Sequence, residues 1–195
     1  PLFNTSYPLR PSDWKPYEKE GQLPYGAESS LALYLHIPFC RHLCSFCEYT
    51  RMICPDEAMQ SLYIDTLSAD AHRFMHKHAT HARLLGCDIG GGTPTALAAG
   101  PFNALMALFR DLRDGFPLSG DFEPSIEGTF ATATPDKLEG MAAAGIQRLS
   151  LGVQTSDDGV LHAHHRPGYT GQAMGRTMES AKAAGICKIN LDIMY

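Results

Sequence analysis

The chain has 195 residues, 44% of them apolar and 19% charged, which is enough for one domain with a core of its own. A net charge of −5 gives no basic footprint for nucleic acid, and no apolar run approaches the roughly 20 residues of a membrane span. Six cysteines without regular spacing do not describe a secreted disulfide scaffold. The N-terminus also lacks a basic-then-apolar signal, so a reducing, cytoplasmic setting is expected.

Residues 1–30 hold five prolines and two glycines, an extended lead-in that Trp14, Tyr17 and Tyr25 are expected to pack over the domain. Residues 31–195 read as repeating strand–helix units. The first strand is 31–37, an alternating apolar run that leads into a cysteine-rich loop. Pro55-Asp56-Glu57 opens a helix whose buried face is expected at Met59, Leu62, Tyr63, Leu67, Phe74 and Met75. The second strand, 84–89, ends in Gly90-Gly91-Gly92-Thr93-Pro94. A second helix carries Phe102, Leu105, Met106, Phe109 and Leu112 and closes near Gly115, and 122–127 is a short third strand.

Thr134 as N-cap with Pro135 behind it opens a third helix that stops at Gly145. The fourth strand is 146–153, a short helix spans 157–163, Thr170 caps a helix running to Gly185, and 186–195 is the fifth strand. This alternation predicts an α/β fold with a parallel sheet and right-handed crossovers. A chain that stops inside an apolar strand is expected to be part of a longer protein.

The cysteines Cys40, Cys44 and Cys47 stand in a C-x3-C-x2-C spacing directly after the first strand. Three thiolates brought to one side of a loop suit an iron–sulfur cubane with one iron left open. A structural zinc held by the same cysteines with His36 or His42 is the alternative. In parallel α/β folds the chemistry gathers at the carboxyl ends of strands. Those ends here carry Cys40, the triple glycine, Glu127, Gln154 and Asp192. That convergence weighs more than any one motif.

The glycines allow close backbone approach, and their N–H groups can grip a carboxylate; the lysine and Ser/Thr of a phosphate loop are absent. Glu127 can hold an ammonium or ribose hydroxyls, or it is an ordinary surface carboxylate. Arg166, twelve residues after Gln154, can bind a carboxylate bidentately or form a surface ion pair. His72 and His76 have metal-compatible i,i+4 spacing but read as a solvated face, since no H-E-x-x-H motif accompanies them. His162, His164 and His165 surround Arg166, where acid–base work near a substrate is the less favoured reading. Cys54, Cys87 and Cys187 read as buried small apolar residues.

The stretch HIPFC with its C-x3-C-x2-C spacing and Phe46 between the last two cysteines resembles the radical S-adenosylmethionine (SAM) superfamily. It looks most like the branch of oxygen-independent coproporphyrinogen oxidase, which also holds heme-chaperone-like proteins, anaerobic heme-degrading enzymes and two-SAM methyltransferases. The resemblance implies a partial (β/α)6 barrel over 31–195, of which five strands are present. It implies a [4Fe–4S] cluster on Cys40, Cys44 and Cys47, flanked by Tyr34 and Phe46, and one or two molecules of SAM. Gly91, Gly92 and Thr93 would meet the methionine part of SAM, with Glu127, Gln154, Arg166 and Asp192 as further contacts.

Reductive cleavage of SAM to a 5′-deoxyadenosyl radical is then the implied reaction, with an electron donor such as flavodoxin or ferredoxin. The substrate would be a tetrapyrrole or a natural-product intermediate. Where coproporphyrinogen oxidases continue the third cysteine with Gly and Cys, this chain has Glu48 and Tyr49. A two-SAM methyltransferase is therefore the expected subtype. A coproporphyrinogen dehydrogenase or heme-degrading enzyme is the alternative, and a heme-binding chaperone is the alternative of another class.

Overall fold

The computed structural model describes residues 30–79 and 82–194. The lead-in with Trp14, Tyr17 and Tyr25 lies outside the described residues, as do His81 and Tyr195.

Five parallel strands form one sheet in the order β1 (Ser30–Ile37), β4 (Arg83–Gly91), β5 (Leu118–Gly128), β6 (Arg148–Gln154) and β7 (Lys188–Ile193). Sheet order follows chain order, with a helix between successive strands: α1 (Glu57–His78), α2 (Ala99–Gly115), α3 (Pro135–Ala144) and α5 (Gly171–Ala184). A short helix, α4 (Asp158–Ala163), interrupts the last crossover. A second sheet, not expected from the sequence, is the two-residue parallel pair β2 (Phe39–Cys40) and β3 (Met52–Ile53), which closes the base of the cysteine loop.

Register separates the two faces of the sheet. Leu35, Ile89, Ile126, Leu149 and Ile189 stand side by side, and all belong to or pack on the core beneath the helices. One residue earlier, the parallel row is Tyr34, Asp88, Ser125, Arg148 and Lys188. Because strand side chains alternate, the second row and its i+2 successors, His36, Gly90, Glu127, Ser150 and Asn190, occupy the opposite face. One face is a hydrophobic floor for helices, and the other is polar.

Helix packing corrects one expectation. Met59 and Leu62 are 51% and 59% exposed, and α1 instead buries Gln60 and Ile64 and half-buries Tyr63, Leu67, Phe74 and Met75. Gln60 is buried because its amide bridges two loops: Nε2 donates to the Pro55 carbonyl (2.7 Å) and Oε1 accepts from the Ala98 N–H (2.8 Å). The apolar face of α2 is as expected, with Phe102, Leu105, Met106, Phe109 and Leu112 all buried. Asp56 caps α1 through the Met59 N–H, and Thr170 caps α5 through the Ala173 N–H. Thr134 occupies its N-cap position without a side-chain cap bond, and Pro135 sets the first turn. Gly145 and Gly185 end their helices at φ of 91° and 99°.

Cys87 is buried, as expected, and Cys54 is half-buried with its thiol toward the Ala96 carbonyl. Cys187 is exposed, contrary to expectation, because it precedes β7 at the edge of the described sheet. No described helix is long and apolar enough to cross a membrane.

Candidate functional site

A cavity of about 1130 Å³ opens on the polar face at the carboxyl ends of the strands. The three cysteines of the loop line it, as do Tyr34, Phe46, Gly91, Gly92, Thr93, Glu127, Gln154, Arg166 and Asp192. Every residue that the resemblance implies as a cluster or SAM contact therefore reaches one space, though the roles assigned to them are a separate matter.

The cysteine loop is built by backbone bonds before any ligand is considered. Met52 N–H donates to the Pro38 carbonyl and Cys54 N–H to the Cys40 carbonyl, both at 2.8 Å, which is the β2–β3 pair. Arg51 Nη2 donates to the Cys44 carbonyl (2.7 Å), and the Cys47 N–H donates to the same oxygen (3.2 Å). His36 is occupied by the Thr50 carbonyl at 2.9 Å, so it braces the loop. The loop is thus folded around its own carbonyls, and its thiols are left for other work.

Those thiols are free, with Cys40 and Cys44 buried and Cys47 half-buried. The Thr93 hydroxyl lies 3.6 Å from the Cys40 sulfur, and Arg166 Nη1 lies 3.6 Å from the Cys44 sulfur. Burial pushes the Cys40 thiol up, the Thr93 hydroxyl draws it down, and Cys47 and Cys44 beside it push it up again. Three free thiols on one cavity wall are the donor set of an iron–sulfur cluster. Among the described residues no three His, Cys, Asp or Glu side chains converge tightly enough to hold a single ion.

Beside the cysteine loop, Gly91 sits at φ 113°, and a Cβ there would come within 2.5 Å of the His36 ring. A Cβ on Gly92 would meet the Pro38 and Phe39 backbone at 2.7–2.9 Å. Gly91 is required by its positive φ and the His36 ring, and Gly92 because the loops touch backbone to backbone, with Gly92 N–H donating to the Ile37 carbonyl and Thr93 N–H to the Phe39 carbonyl, both at 2.8 Å. Glu127 Oε2 accepts from the Gly91 N–H (3.1 Å). Burial raises the Glu127 carboxyl above the usual range, the Gly91 bond opposes it, and Asp192 and Asp88 add to the rise. Tyr34 is pushed up to about 12 by burial and by the charges of Glu127, Tyr49 and Asp88. Asp192 accepts from the Asn190 side chain at 2.8 Å.

The segment 164–169 supplies contacts that the sequence reading did not anticipate. Ser45 N–H donates to the His164 carbonyl (3.1 Å), Ser45 Oγ and His164 Nδ1 are 2.7 Å apart, and the Phe46 ring meets the His164 ring edge-on at 5.8 Å. His164 thus ties the segment bearing Arg166 to the cysteine loop. His162 and His165 are exposed. His72 pairs with Asp111 (3.1 Å) and His76 is exposed, as a solvated face requires. Behind the glycines, Lys137 donates to the carbonyls of Thr95 and Leu97 (2.6 Å each), and the hydroxyls of Thr95, Thr132 and Thr129 form a chain with steps of 2.6 and 2.7 Å. Only the proximity of Thr95 to GGGTP could have pointed to that scaffold.

The family model of the radical SAM superfamily matches residues 34–195, and the chain belongs to that superfamily, whose cofactors are a [4Fe–4S] cluster and SAM. It is 33% identical to the oxygen-independent coproporphyrinogen III oxidase of Bradyrhizobium diazoefficiens, over 98% of this chain and 42% of that protein. It is 31% identical to the heme chaperone HemW of Bacillus subtilis, over 83% of this chain and 41% of the chaperone. The solved coproporphyrinogen III oxidase (HemN) of Escherichia coli superposes with a TM-score of 0.75 at 30% identity, covering 87% of this chain and 38% of that one. The chain spans about two fifths of the length of these relatives, and its sheet of βα units corresponds to part of the radical SAM barrel.

Proposed function

We propose that this chain carries the SAM-cleaving half of a radical SAM enzyme acting on a tetrapyrrole. The observation that carries the reading is the placement of three free thiols, the Gly91–Gly92 backbone, Glu127 and Arg166 around one cavity. Cys40, Cys44 and Cys47 would hold a [4Fe–4S] cluster, which when bound supplies the electron for reductive cleavage of the SAM sulfonium. The protein's own part is placement. Gly91 and Gly92, bare of side chains, leave room for a ligand at the strand end, Glu127 offers a carboxylate for an ammonium or for ribose hydroxyls, and Arg166 offers a fork for a carboxylate. Tyr34 and Phe46 line the same cavity as the thiols. An external one-electron donor such as flavodoxin or ferredoxin completes the requirement.

The tetrapyrrole class is taken from the relatives, which are coproporphyrinogen oxidases and a heme chaperone. Methyl transfer with a second SAM is the other reading, and Glu48 and Tyr49 favour it. Both line the cavity, Tyr49 is 70% exposed, and together they stand in place of the Gly-Cys that the resemblance implies after the third cysteine. The test is anaerobic reconstitution with iron and sulfide, then SAM and a strong reductant. Release of 5′-deoxyadenosine, lost in Cys44→Ala together with the brown colour, is the expected result. Heme uptake without SAM cleavage would replace the enzyme reading with a chaperone, and a colourless zinc-loaded protein would overturn both.

A further inference from the structure

The exit of β6 holds a conformation that side chains rarely adopt. Gln154 has φ 67°, and among the described residues His165 is the one other non-glycine with positive φ. The Thr155 N–H donates to the Val153 carbonyl at 2.9 Å, so an i→i+2 bond closes around Gln154. With positive φ at its centre, this is the rarer and strained form of the γ-turn. The same residues form a bulge. Gly152 pairs with Asp192 and Gln154 with Ile193, so β6 carries one extra residue against β7. Bulges of this kind re-aim a side chain, and strain of this kind persists only where surrounding contacts over-determine it.

Those contacts come from one short turn, residues 166–169, and from Met194 just after β7. Arg166 Nη2 donates to the Gly152 carbonyl. The Tyr169 hydroxyl reaches the Val153 carbonyl and, at 2.8 Å, the Thr155 carbonyl, the two that flank Gln154. The Gln154 carbonyl itself accepts from Met194 N–H at 2.8 Å. On the cavity side, a Cβ on Gly152 would lie 2.6 Å from the Arg166 guanidinium and 2.8 Å from Gln154 Nε2, so these two side chains are packed together over a glycine.

We propose that Tyr169 is a positioning residue, whose hydroxyl spans the carbonyls on either side of Gln154 and holds the strained turn that sets the Gln154 amide beside Arg166 in the cavity. The proposal rests on the reading of Gln154 and Arg166 as SAM contacts. The Tyr169 ring packs on Phe130 with centroids 5.0 Å apart, a contact that phenylalanine would keep. Tyr169→Phe therefore removes the hydroxyl alone.

The test is a double-mutant cycle on the full chain, reconstituted anaerobically, with SAM affinity and melting temperature both read. Tyr169→Phe should weaken SAM binding by about three- to tenfold, with kcat for 5′-deoxyadenosine release changed much less than KM. In a Gln154→Gly background the same substitution should change affinity less than about twofold, because the side chain it positions is gone. Gln154→Gly should melt about 2–4 °C above Gln154→Ala, since glycine adopts positive φ without strain. Tyr169→Phe should likewise lower the melting temperature less in the Gly background than beside native Gln154.

Equal affinity losses in both backgrounds, or no loss in a protein that binds SAM, would overturn the proposal. If the native protein binds no SAM at all, the functional reading falls. The melting cycle then still decides: equal melting losses from Tyr169→Phe in both backgrounds would overturn the turn-holding role.

Discussion

The proton on Glu127 is governed by opposing neighbours. Burial raises its pKa, the Gly91 N–H lowers it, Asp192 and Asp88 raise it, His36 lowers it, and the net direction is up. A folded protein that binds this proton more tightly than the unfolded chain is stabilised below the ordinary Glu range, and it loses that contribution as pH rises through the elevated folded value. At neutral pH the ionised carboxylate is therefore a burden on the ligand-free protein. Glu127→Gln keeps an oxygen for the Gly91 N–H, so it should melt higher than the native protein at pH 7 and show a flatter stability profile on the alkaline side of the Glu range. A lower melting temperature at pH 7 would mean that the charge-assisted bond to Gly91 outweighs burial. SAM affinity should run the other way, rising with pH through that same elevated value as the carboxylate becomes available to an ammonium, and Glu127→Gln should lack the rise. Gly91, Glu127 and the cysteines were legible in the sequence because strand ends and loop spacing are local. The Tyr169 hydroxyl was not, since its bonds to Val153 and Thr155 depend on how residues 166–169 fold back.

Within elements, α1 separates local pattern from tertiary choice. Its sequence offers apolar residues at Met59, Leu62, Tyr63, Ile64 and Leu67, more than one stripe can use, and periodicity alone does not say which turn faces the sheet. Packing against α2 and the strands selects Ile64, 1% exposed, and turns Leu62 outward. Ile64→Ala should lower the unfolding free energy by about 2–4 kcal/mol, whereas Leu62→Gln should change it by less than about 0.5 kcal/mol. Gln60→Leu is the sharper case. It matches the apolar surroundings and would be neutral on a hydrophobic face, but it leaves the Ala98 N–H and the Pro55 carbonyl without Gln60, and about 1–3 kcal/mol should be lost. Denaturant titration of the three variants reads the ranking directly. A stable Gln60→Leu protein would show that water replaces both bonds.

At the scale of the molecule, the parallel sheet divides labour between its faces, and the division extends to the cysteines. Cys87 lies in the helix-side core, and burial with the neighbouring Asp88 charge pushes its thiol up to about 12, where it is unreactive. Cys187 is exposed just before the edge strand of the described sheet and does not line the cavity. Cys40, Cys44 and Cys47 lie on the cavity wall between these extremes. Cluster assembly should therefore change alkylation at one set of thiols only. In the apo protein an iodoacetamide probe followed by peptide mass analysis should label Cys187 fastest, Cys47 next, and Cys87 last, following exposure. After anaerobic loading with iron and sulfide, Cys40, Cys44 and Cys47 should become protected together while Cys187 keeps its rate. Chelation of the iron should restore all three at once, because ligands of one cluster lose their metal as a unit. Protection of Cys54 in place of Cys47 would reassign the third ligand. Protection that also needs His36 or His42, tested with His36→Ala and His42→Ala, would point back to a mononuclear zinc site.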